Sequence, residues 1–173
     1  MNLVKLFETQ KVLRDRINYN EQDRFDKLVL ALQVELAECA NEQRTWKFWS
    51  QDQEPRTLAL RKPAMMEEDK VYYNPLLDEY VDGLHFVLEL GIEKGFSIRK
   101  TNITNKTDNV TNQFNNVYNA INYFVIDACI DTYFDLVRTY LGLGEMLGFT
   151  WEQIEAAYYE KNQINHTRQA NGY

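Results

Sequence analysis

The chain has 173 residues, 45% of them apolar and 26% charged, enough for one domain with its own core and too apolar for a disordered chain. Three prolines and seven glycines exclude a collagen-like or Pro-rich linker protein. A net charge of -7 excludes broad electrostatic attachment to DNA or to an anionic membrane, so neither is an expected partner. An acidic pocket can still take a metal-phosphate, because a bound cation reverses the local field.

Apolar residues recur at helical spacing from the start. A first helix is predicted over residues 3–17, with Leu3, Leu6, Phe7, Gln10, Leu13 and Ile17 on one side and Asn2 as its cap. Asp23 is a cap for a second helix over 24–47, whose stripe is Phe25, Leu28, Val29, Leu32, Leu36 and Cys39. Residues 50–74 lose the periodicity and carry Pro55 and Pro63; they read as a long connection with a short helix near 64–69, covering something. Pro75 opens a third helix over 76–93, and Gly95 stops it. After a loop at 96–108 the helical pattern resumes to Leu147, as one helix or two. Thr150 and Gln153 form a capping box for a last helix over 151–165. The fold expected is all-α: one domain over 1–173, a bundle of about five to seven helices with one long connection.

Cys39 and Cys129 lie in apolar helical patterns and read as buried free thiols. The amino terminus is charged by residue 5, so no secretory signal is expected, and no window reaches the length of a membrane span; the expected location is the cytoplasm.

Two helices carry paired carboxylates. Glu35 and Glu38 stand three apart with Glu42 four beyond, and Glu79 and Asp82 repeat the spacing on the third helix. Facing each other, such pairs form an all-oxygen site suited to Mg²⁺; facing water, they are two ordinary acidic surfaces. Trp46-Lys47-Phe48-Trp49 either caps the core or forms a ligand wall, with a ring against a planar base and Lys47 near a phosphate. Gln10, alone in an apolar stripe, is a core hydrogen bonder or reads the edge of a base. Lys161, Asn165 and Arg168 step by four and three to one side of the last helix, with Tyr173 just beyond, and fit phosphate oxygens. His85, three beyond Asp82, approaches the carboxylates or packs as a neutral core residue. Two histidines are too few for a covalent triad, which leaves water as the nucleophile.

These segments resemble the dimeric, all-helical dUTP diphosphatases, relatives of the MazG-type nucleotide pyrophosphohydrolases. The matching stretches are Glu35-Leu36-Ala37-Glu38 through Glu42 to Trp49, Glu79 to Phe86, and Lys161 to Gln169 with Gly172-Tyr173. The resemblance implies hydrolysis of dUTP to dUMP and pyrophosphate by a homodimer, and leaves dUDP open as a further substrate. It implies two or more Mg²⁺ ions per site, replaceable by Mn²⁺, on Glu35, Glu38, Glu79 and Asp82. It makes Glu35 or Glu38 the catalytic group acting on the attacking water, with Lys161, Asn165, Arg168 and Tyr173 on the phosphates. Gln10 and Trp49 would face the deoxyuridine, with Lys47, Glu42 and His85 supporting. The family often offers an Asn close behind the Gln, where this chain has Leu13 and Arg14. Residues 98–119 resemble the variable insert of dimeric dUTPases carried by staphylococcal phages, some of which bind a protein repressor. The competing readings are a ferritin-like di-iron bundle, which wants Glu-x-x-His pairs that this chain lacks, and a non-catalytic protein that binds a regulator through the insert.

Overall fold

The computed structural model describes residues 3–63, 65–98, 101 and 103–172. Among them are six α-helices: α1 Val4–Ile17, α2 Arg24–Gln43, α3 Pro75–Glu93, α4 Val110–Ile126, α5 Ile130–Met146 and α6 Trp151–Ala170. No helix of the described residues is long and apolar enough to cross a membrane.

The third helix is the centre of the bundle. Asn74 accepts from the Leu77 amide and Pro75 takes the first turn, so α3 starts where its sequence directs. Tyr80, Val81, Leu84, Val87, Leu88 and Leu90 are all buried, more than one stripe's worth, because neighbours surround it. One long flank packs on α2, another on α6, and α1 and α5 complete the cover. Two tyrosines tie α3 to α5 reciprocally: Tyr80 donates to the Tyr140 carbonyl at 3.2 Å, and Tyr140 donates to the Tyr80 carbonyl at 2.7 Å, with the rings stacked 5.0 Å apart. Gly83 makes this approach possible, since a Cβ there would land inside the Tyr140 hydroxyl.

Several boundaries differ from expectation. The second helix ends at Gln43 rather than Lys47. Arg44 adopts a left-handed φ of 64°, and its side chain is held by the backbone and carboxylate of Asp52, so a tertiary contact ends the helix without glycine or proline. Asp23 occupies the cap position of α2, but its carboxylate pairs with Lys27 and accepts from Tyr19 instead of the helix amides. The helical region after Asn109 is two helices, α4 and α5, broken at Asp127–Cys129, where Thr132 donates to the Asp127 and Cys129 carbonyls. The final helix keeps its Thr150–Gln153 capping box and runs on to Ala170. In the long connection, β1 Ala59–Leu60 pairs antiparallel with β2 Tyr72–Tyr73, and Glu67–Asp69 forms one 3₁₀ turn. Asn2 and Ala64 lie outside the described residues. Cys39 is buried as expected, while Cys129 is half-buried at the cap of α5.

Candidate active site

α2 and α3 bring Glu35, Glu79 and Asp82 together, with one carboxylate oxygen of each within 4.8 Å of the others. Half-burial pushes Glu35 and Glu79 up to about 7 each, and the negative charges of Asp82 and Glu38 add to the effect. Asp82, more deeply set, is also raised by burial, against the pull of Lys161. Carboxylates this close oppose one another's ionisation, and a hard divalent cation removes that opposition while accepting their oxygens. The donor set therefore fits a metal ion of the Mg²⁺ type. Glu38 stands outside the close group, exposed, but near enough for its charge to act on both Glu35 and Glu79. Glu42 turns away and pairs with Arg56 at 3.4 Å.

Lys161 reaches the same carboxylates from α6. Its Nζ lies 2.5 Å from Asp82 Oδ2 and 2.9 Å from Asp78 Oδ2, and the side chain is 10% exposed. Burial alone would favour the neutral amine, but the two aspartates outweigh it and hold the ammonium charged. Asn165 and Arg168 continue along α6, the guanidinium 3.5 Å from the side-chain Oδ1 of Asn165. Both line a cavity of about 470 Å³ that also contacts Glu35 and Asp82 at one end. Elsewhere the wall includes Leu13, Arg14, Leu28, His85, Phe86 and Glu89.

Part of that wall is a buried polar network. The Gln10 amide donates to Glu89 Oε1 at 2.7 Å, and its oxygen accepts from Tyr158 at 2.6 Å and from His85 Nδ1 at 2.6 Å. Nδ1 therefore carries a hydrogen, and the buried Nε2 is left without a partner. Burial, aided by the charge of Lys161, holds His85 down at about 3. Its ring stacks on Tyr158 with centroids 4.2 Å apart. Glu89 in turn pairs with Arg14 at 2.9 Å, and Arg14 and Arg24 share Glu93. Burial raises Glu89, with Gln10 and Arg14 pulling against it. Burial also works on Glu93, where the two guanidiniums win and hold it below the usual carboxylate range.

The structure thus places Glu35, Glu79, Asp82 and Lys161 in one cluster, and Gln10, His85, Asn165 and Arg168 in the wall of the cavity that Glu35 and Asp82 also line. Trp49 and Lys47 do not line this cavity. Trp49 is exposed and packs edge-on against Trp46 and Phe48, and Lys47 lies over the Trp46 ring. Tyr173 lies outside the described residues. Four participants went unnoticed in the sequence: Asp78, Glu89, Arg24 and Tyr158. Asp78 sits four before Asp82, and Glu89 seven beyond it, so helical spacing alone would have placed all three on one side of α3.

Similarity agrees with this layout. A family model described as dUTPase matches residues 2–63 and 66–173. No curated protein matches the chain. With six helices as the framework and carboxylates gathered on α2 and α3, the match extends over nearly all the chain: it belongs to the all-helical dUTPase family, whose bundle is of the MazG-like type.

Proposed function

We propose that the chain hydrolyses dUTP to dUMP and pyrophosphate with Mg²⁺ as cofactor. The observation that carries this reading is the convergence of Glu35, Glu79 and Asp82 beside a cavity large enough for a nucleoside. Family membership supports nucleotide pyrophosphohydrolase chemistry. Bound Mg²⁺ supplies neutralising charge for phosphate oxygens and a water of lowered pKa.

The chain's own residues divide the remaining work. Glu35, Glu79 and Asp82 hold the cation. Glu38, one turn along α2 and outside the close group, takes the proton of the attacking water. Lys161, Asn165 and Arg168 offset charge on the phosphates, Arg168 by its planar fork and Lys161 as a mobile point charge. Tyr173 joins them by the family's terminal motif. The deoxyuridine enters the cavity. The Gln10 amide is already engaged on both ends, so a direct bond from Gln10 to uracil requires it to give up one of these partners. Trp49 and Lys47 are assigned to an outer wall. A homodimer is supported by Leu30 and Val34, large apolar residues exposed at helical spacing on α2.

Pyrophosphate release from dUTP, dCTP, dTTP and UTP, and orthophosphate release from dUDP, with and without Mg²⁺, tests the reading. Metal-dependent release from dUTP above the other triphosphates is expected. Absence of pyrophosphate from every triphosphate at saturating Mg²⁺ would sink it.

A further inference from the structure

We infer that Lys161 is a built-in rival to the divalent cation: its ammonium holds Asp82 while the metal is absent and must release it for Asp82 to serve as a ligand. The inference rests on the metal-site reading above and deepens it.

Three observations converge on it. The ammonium lies 2.5 Å from Asp82 Oδ2 and 2.9 Å from Asp78 Oδ2, so it is bonded to a member of the close carboxylate group rather than beside it. The side chain is 10% exposed, which leaves little water to screen it. It arrives from α6, whereas the other carboxylates come from α2 and α3, so it can leave without dismantling the group.

Removing the ammonium has two opposing effects. Asp82 loses the contact that fixes its orientation, a small cost for a side chain with two rotatable bonds. A dication entering the group no longer meets a unit positive charge a few ångströms away, and it finds Asp82 unengaged. In a poorly screened site the second effect outweighs the first, by about tenfold or more in cation affinity. Lys161 thus acts through Asp82, as a positioning residue. Lys161 lies four residues before Asn165 and seven before Arg168, the α6 residues that line the cavity. Cation entry therefore frees a charge for an incoming phosphate, and the two ligands favour each other's binding.

Mn²⁺ titration of the nucleotide-free protein, read by the free-ion electron paramagnetic resonance signal and by thermal melting, tests this without turnover. K161M is expected to bind Mn²⁺ about tenfold or more tightly than wild type, while K161R, which keeps the charge, gains nothing. K161M should melt lower than wild type without metal and gain more on adding Mn²⁺. D82N placed in K161M should cancel the gain. If K161M does not fold, K161Q carries the comparison with the same criterion. Equal or weaker Mn²⁺ binding by the folded neutral variant, with wild type binding normally, overturns the rivalry alone. Binding by neither protein overturns the metal-site reading and this inference together.

Discussion

Gln10 and His85, 75 residues apart in sequence, share a buried 2.6 Å hydrogen bond that places a hydrogen on the imidazole Nδ1. Because the Gln10 nitrogen donates to Glu89, its oxygen must accept, and His85 Nδ1 must carry the hydrogen. The imidazole is held neutral at about 3 against an ordinary 6.5. A depressed base takes up its proton in the unfolded chain first, so its stabilising share is complete above pH 6.5 and drains as the pH falls toward about 3. In urea unfolding, wild type should lose about 2 kcal/mol more than H85F between pH 7 and pH 5. Parallel losses in the two proteins would contradict a neutral buried His85.

Glu79 carries the opposite sign. Its carboxyl is raised to about 7 from 4.5, chiefly by burial, so its charge opposes folding above that range and the opposition is relieved on acidification. Without metal at pH 8, E79Q should be more stable than wild type by about 1 kcal/mol, a figure reduced for solvent screening of a half-exposed group. That advantage should shrink as the pH falls below 7 and vanish below about 4.5. With saturating Mg²⁺ and dUTP, E79Q and D82N should lose about a hundredfold or more in turnover while remaining folded by circular dichroism. Near-normal turnover in either would remove that residue from the ligand set.

Gly83 lies between Asp82 and Leu84 and lets the Tyr140 hydroxyl approach the backbone of α3. G83A forces that ring aside in a filled core, with an expected cost of about 1–3 kcal/mol in chemical denaturation. Y140F in the same background should recover part of the loss by removing the clashing oxygen. No recovery would place the strain elsewhere.

The thiols should separate by reactivity. Burial pushes Cys39 far above the ordinary thiol range, and its sulfur sits 4.0 Å from the Leu76 carbonyl. Cys129 is half-buried at a helix cap. A maleimide reagent at pH 8 should label Cys129 in the folded protein and Cys39 only after unfolding, as mass spectrometry of digested protein would show. Rapid labelling of Cys39 would mean that the α2–α3 joint opens readily.

What was legible in the sequence was local. Pro75 and the Thr150–Gln153 box specify helix starts within a few residues, and both stand where expected. Glu35, Glu79 and Asp82 were legible because two helices with apolar stripes beside their carboxylates have few ways to pack. The stop of α2 was not, since it depends on Arg44 finding Asp52 across a turn. Nor was the α4–α5 break, which has neither glycine nor proline and is held by the Thr132 hydroxyl. The Lys161–Asp78 contact joins residues 83 apart, and Tyr158 meets Gln10 across 148. Such pairings belong to the packed whole, and no window of sequence contains them.

The paired tyrosine bonds between α3 and α5 have a mechanical consequence. Each hydroxyl grips the main chain of the opposite helix at the residue that grips back, so a slide by a single residue would break both links at once. The helix bearing Glu79 and Asp82 is in effect bolted to the scaffold, and any widening of the cavity for a nucleotide falls to α1, α2 or α6, which supply the rest of its lining. Hydrogen-exchange measurements on ligand addition should accordingly find α3 silent while amides on those helices respond.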